Sequence, residues 1–102
     1  MNTYQDYPQT LAEALSKGEA LMTDADKAII QTRTLLDSDA LLHMTLGHTL
    51  RNELGLWNES ATLLFDDINQ RMPDQLAIDA DTASSALISA IWHAQHGLRS
   101  WR

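Results

Sequence analysis

Leucine recurs at every fourth position from Leu42 through Leu46 and Leu50 to Leu54, inside the run LHMTLGHTLRNELGLW of residues 42–57. Side chains four apart share one face of an α-helix, whereas a half-buried strand needs a spacing of two. The run is therefore predicted to be a core helix, from near Asp39 to near Leu54, around which the rest of the chain is arranged. His43, Gly47 and Arg51 form a second line at the same spacing beside the leucines. Glycine inside a helix costs about 1 kcal/mol relative to alanine, so at Gly47 either a neighbouring helix approaches closely or the cost is simply tolerated. Gly55 follows Leu54 as a left-handed C-terminal residue, with Leu56 or Trp57 folding back on the last turn.

The remaining segments read as helices with recognisable ends. Thr10 and Glu13 fit a capping box ahead of a short helix from Leu11 to Lys17, stopped by Gly18 and docked as a flap, with Tyr7 packing back on it. Thr23 caps a second helix running to about Leu36, with Ala25, Ala28, Ile29, Thr32 and Leu36 facing inward. Asp37, Ser38 and Asp39 then make a polar break, Ser38 being the favoured cap of the central helix. Asn58 or Ser60 starts the next helix, whose apolar face is Ala61, Leu64, Phe65, Ile68 and Met72, with Asp66 and Asp67 outward, and Pro73 ends it. Residues 73–80 form a loop in which Leu76 and Ile78 plug the open end. Asp79 or Asp81 caps a last helix with Ser84, Leu87, Ile88, Ile91 and Gln95 on one face, ended by Gly97. The tail from Leu98 to Arg102 is either docked or an exposed hook.

Sixteen leucines and thirteen alanines without one valine favour helices, since strand-rich cores draw on β-branched residues. The expected fold is all-α: a compact bundle of four main helices, with room for one short additional helix at the N-terminus. A chain of 102 residues fits a single helical domain with an ordered core over about 7–97 and a radius of gyration of about 13 Å.

Charge narrows the partners. Fourteen acidic against seven basic residues give a net charge of -7, and the basic ones are spread singly. Direct binding to nucleic acid or to an anionic membrane is not expected of such a surface. The absence of cysteine rules out disulfides and thiolate chemistry. No signal peptide or apolar run of membrane-spanning length is visible, which makes the cytoplasm the expected location.

The chemistry-bearing residues are the histidines, Arg51, Asn52 and the acids near residue 80. His43 and Arg51 lie eight residues apart, about 12 Å along a helix, so they meet only through a group from another element. Asp79 and Asp81 are the acidic candidates to face Arg51, because a guanidinium and a carboxylate match through two parallel hydrogen bonds. The candidate polar cluster is His43, Arg51, Asn52, Asp79, Asp81, Ser84 and His93. Its plain reading is an interhelical clasp, and its sharper one is an anion-binding group beside an imidazole acid or base. No nucleophile with a matched base stands at a diagnostic spacing, and Ser84 and Ser85 read as ordinary helical serines, so no catalytic residue is assigned. His93 and His96 share a face but fall short of the three or four ligands a zinc ion needs, so no metal or cofactor is expected. Trp57, Phe65, Trp92 and Trp101 divide between core anchors and interface aromatics, with Trp57 on the structural side and Trp92 and Trp101 as the interface candidates.

The central run also resembles the hallmark stretch of DUF6794, a family of small bacterial and phage domains. The matching residues are His43, Gly47, Arg51, Asn52, Gly55, Leu56 and Trp57. YPQTLAEAL, from Tyr7 to Leu15, is similar to the start of that family. Asp81, Thr82, Ala83 and Ser84, followed by Leu87, Ile88 and His93, resemble its Asp-Asp-x-Ser segment, with Thr82 standing in place of the second aspartate. The resemblance covers about Tyr7 to Gly97. It implies one compact domain with Arg51 near Asp81, and no reaction type.

These readings point to a small acidic protein-binding or accessory domain without enzymatic activity, whose partner is another protein. A homodimer through the last helix and Trp101 is compatible with them. The alternatives are a ligand sensor or small enzyme using the His/Arg/Asp cluster, and a phage protein that interferes with a host factor.

Overall fold

Alanine, serine and isoleucine make up most of the segment that forms the middle of the molecule, and it is not the leucine-rich run. In a computed structural model, which describes residues 7–98 and Trp101, helix α6 (Ala80–Gln95) is buried from Ala83 to Ile91 except at Ser85. It packs against all five other helices: α1 (Leu11–Leu21), α2 (Asp24–Thr32), α3 (Leu35–Leu42), α4 (Leu46–Glu53) and α5 (Thr62–Arg71). Small side chains at Ala83, Ser84, Ala86, Ser89 and Ala90 let neighbours come close on several sides at once. The described residues are all-helical, with six α-helices in place of four main ones and a short one at the N-terminus, a 3-10 turn at Glu59–Ala61 and a radius of gyration of 12.5 Å.

The one helix beyond that expectation comes from two breaks where a single one was expected. The expected second helix stops at Thr32, and Thr34 caps a new one by accepting the backbone N–H of Asp37. Ser38 is thus no cap: it lies inside α3 and is fully buried. The expected central helix is broken at residues 43–45, between α3 and α4. Leu42, Leu46, Leu50 and Leu54 are nonetheless all buried, because the break leaves both halves facing α6. On α2 the inward residue is Ile30, accompanied by Asp26 and by Met22 just ahead of the helix, and Leu36 on α3 is 82% exposed.

Helix α1 is part of the core and no flap. Leu11, Ala14 and Leu15 are buried, and the helix continues past Gly18, where a Cβ would lie 3.2 Å from Ile91 Cδ1 and Leu50 Cδ2. Thr10 caps it, and Asp67 of α5, expected to point outward, accepts the Leu11 N–H at 2.7 Å. On α5 the expected apolar face is the buried one, with Phe65 half-buried. In the loop before α6, Leu76 and Ile78 are exposed and do not plug the bundle. Ala77 turns inward instead, held by both ends of the Asn69 side-chain amide.

Two helix ends follow the local signals. Gly55 has φ +66 and Leu56 N–H returns to the Arg51 carbonyl, while Gly97 has φ +69 and Leu98 N–H returns to that of His93. Both are the six-to-one bond of a Schellman motif. Leu56 is the residue that folds back into the core, leaving Trp57 exposed and no core anchor. Of the tail, Trp101 packs against the core, and Arg99, Ser100 and Arg102 lie outside the described residues.

Ser38 Oγ is buried without a hydrogen-bond partner. A hydroxyl in that state costs free energy, and alanine has the higher helix propensity. Ser38→Ala is expected to raise stability by about 1 kcal/mol in urea unfolding, and a loss of that size would mean the hydroxyl is satisfied after all.

Candidate functional site

The break between α3 and α4 creates the polar centre of the molecule. Where the helical ladder opens, the His43 carbonyl accepts from both Nη1 and Nη2 of Arg51, each at 3.4 Å. A side chain inserted into the ladder in this way accounts for a sharp break without proline. The two residues that a continuous helix would hold about 12 Å apart are joined through one main-chain carbonyl. Arg51 Nη1 also donates to Ser84 Oγ on α6 at 3.1 Å, and Ser84 Oγ donates to the Asp81 carbonyl at 2.9 Å. Arg51 Nε lies 3.6 Å from Asp81 Oδ1.

Burial separates the strong members of this clasp from the weak one. The Arg51 and Ser84 side chains are enclosed, whereas the Asp81 side chain is 62% exposed. The guanidinium is therefore held mainly by neutral oxygens inside the protein, with the carboxylate at its rim. Gly47 is part of the same construction. A Cβ there would sit 3.0 Å from Arg51 Nη1 and 3.8 Å from Ile88 Cδ1. The tightest neighbour of Gly47 is thus a side chain of its own helix, and the neighbouring helix expected there, α6, reaches it only at ordinary contact distance.

Asp79 does not join Arg51. It caps α6 through a reciprocal box with Thr82, accepting from the Thr82 N–H at 2.8 Å while its own N–H donates to Thr82 Oγ1. The donated backbone and hydroxyl hydrogens of Thr82 hold the Asp79 carboxyl below its usual range. Thr82 thereby serves the helix end. Asn52 points away from the clasp, its amide paired with His48 Nε2 at 3.0 Å. His93 is twelve residues beyond Asp81, about 18 Å along α6, and its Nδ1 donates to the Ser89 carbonyl. The sequence cluster thus resolves into Arg51, Ser84, Asp81 and the His43 main chain, with Asn52, Asp79 and His93 elsewhere.

The other aromatic and imidazole groups secure the end of α2. Trp92 Nε1 donates to the Arg33 carbonyl at 3.0 Å, and His96 Nε2 donates to the Ile30 carbonyl at 2.8 Å. Their rings stack with centroids 4.1 Å apart. The two interface candidates, Trp92 and Trp101, are half-buried and pack against the core. Among the described residues, no group of three His, Asp or Glu side chains converges as a metal site.

Beside the clasp lies an open pocket of about 220 Å³ lined by His43, Gln75, Leu76, Asp81, Thr82 and Ser85. An imidazole, a carboxylate and a hydroxyl share it, yet no hydrogen bond links them among the described residues, so no proton relay is assembled. A second pocket of about 150 Å³ adjoins it, sharing Gln75 and Ser85 and adding Leu35, Leu36, Asp39 and Ser89. Sequence reading missed Gln75, Ser85 and Asp39, because each belongs to a different segment and carries no motif. A third groove, of about 490 Å³, runs between α2 and the α3–α4 break, with Ile29, Leu41, Met44 and Asp26 among its walls.

The family model described as a domain of unknown function, DUF6794, matches residues 7–95. The chain belongs to that family. No curated protein and no solved structure matches it.

Proposed function

We propose that this DUF6794 member is a protein-binding accessory domain that works through the groove between α2 and the α3–α4 break. The observation that carries this reading is exposure: Met44 is 75% and Leu41 51% open to solvent, side by side in one groove. Large apolar side chains gathered at a concave surface favour burial by a partner. The groove suits one apolar helix face laid into it. Asp24 and Asp26 begin α2, and the chain carries seven more acidic than basic residues, so a partner segment rimmed with lysine or arginine is the complementary one. The state of Arg51 points the same way, since its guanidinium is enclosed and both terminal nitrogens already bond protein oxygens.

Replacing both groove residues, in Leu41→Glu/Met44→Glu, leaves the clasp and the core untouched. Affinity capture from the source cells, quantified against the wild-type chain, is expected to lose its specific partner more than about tenfold, the loss of one or two interface hot spots. Unchanged helicity by circular dichroism would show that folding is not the cause. Equal recovery by both chains would refute the reading, and sedimentation of the isolated chain would reveal whether the occupant is a second copy.

A further inference from the structure

We infer that the pocket between α3 and α6 beside Asp39 is a binding site for a primary alkylammonium group. This goes beyond the groove described above and does not rest on it. The pocket holds about 150 Å³, room for an ammonium head and the end of its methylene stem. Its walls divide by chemistry: Leu35 and Leu36 are apolar, while Asp39, Gln75, Ser85 and Ser89 offer oxygen acceptors. An ammonium presents three donors on a flexible apolar stem, which is the pattern such a lining complements.

The condition of Asp39 supplies the independent observation. Its Oδ1 is shut off from solvent and has no hydrogen-bond partner, and the adjacent Ser38 Oγ is in the same state. No ion pair to Asp39 is formed among the described residues. A carboxylate with one oxygen removed from water and no donor is poorly compensated. Because Oδ1 is closed even to water, a cation in the adjoining pocket meets the carboxylate at its second oxygen, and it gains more there than from a fully hydrated carboxylate because half of the charged group is held out of water. A metal ion is a poorer fit, since no second and third ligand of the usual types converge there among the described residues.

The test is NMR titration of the whole chain with n-butylammonium chloride, with n-butanol as the neutral isostere. The expected result is saturable shifts at the Gln75 side-chain amide and the Ser85 and Ser89 backbone amides, with the alcohol at least about tenfold weaker, as loss of a charge-assisted hydrogen bond implies. Asp39→Asn, nearly isosteric, is expected to weaken the ammonium by a similar factor. Nα-acetyl-lysine methylamide against its Nζ-acetylated form distinguishes a peptide lysine from a free amine as the source. Tighter binding of the lysine derivative than of butylammonium assigns the site to a peptide side chain, and the reverse assigns it to a free amine. No saturable shift at these amides, or equal shifts from alcohol and ammonium in the wild-type chain, would overturn the proposal even if Asp39→Asn fails to fold.

Discussion

Arg51→Ala is expected to destabilise the protein by about 3 kcal/mol, and Asp81→Asn by well under about 1 kcal/mol. The asymmetry follows from where each charge lies. The guanidinium is enclosed and donates to the His43 carbonyl and Ser84 Oγ, so its removal strands the carbonyl freed by the helix break and empties the space kept open by Gly47. Asp81 is mostly exposed and meets Arg51 at 3.6 Å, the condition in which an ion pair contributes little. Urea unfolding of the two variants reads the difference directly. Equal losses would mean that the ion pair with Asp81, and not the neutral oxygens, holds the clasp.

That asymmetry also shows where sequence reading ends. Spacing alone pointed to Arg51, Gly47 and the start of α6 as one neighbourhood, because a long cation beside a missing side chain on a buried helix has to be met by something. The partner it meets first is a main-chain oxygen, and no residue type announces a carbonyl released by a break. The break itself was hidden for the same reason: the leucine period continues through it, and each half remains helical. Thr34 had the chemistry of a cap, but the two aspartates flanking Ser38 advertised a polar break a few residues later.

Low contrast hides the central element in the sequence. A helix buried nearly all round by alanine and serine has no strong apolar stripe, so α6 is less one-sided than the leucine helix α4 although it is the more apolar of the two and touches more of the molecule. Signals confined to a single turn fared best. Thr10 and Thr23 cap helices, Asp79 does so in preference to Asp81, and Gly55 and Gly97 close them. These need only neighbours in sequence, whereas the pockets draw on three segments at once.

Gly55→Val is expected to cost more than about 3 kcal/mol, because two penalties fall on one position. The backbone there has φ +66, a region that costs an L-residue about 1–2 kcal/mol and a β-branched one more. A Cβ would also enter the space of the Tyr7 ring, which lies flat enough on the corner for its Cγ, Cδ2 and Cε2 atoms all to be met. The two terms are separable by a double-mutant cycle with Gly55→Ala and Tyr7→Ala. Backbone strain survives removal of the ring, while the clash does not, so Tyr7→Ala is expected to recover part of the Gly55→Ala loss. Full recovery would mean that the left-handed conformation costs nothing here, and no recovery would mean that Tyr7 moves aside freely. Because Leu56 is drawn into the core by this turn, the Val substitution is also expected to expose Leu56 and make its backbone amide, bonded to the Arg51 carbonyl, exchange hydrogen faster than in the wild-type chain. Unchanged exchange at Leu56 alongside a large loss of stability would place the damage at Tyr7 and α1, away from the end of α4.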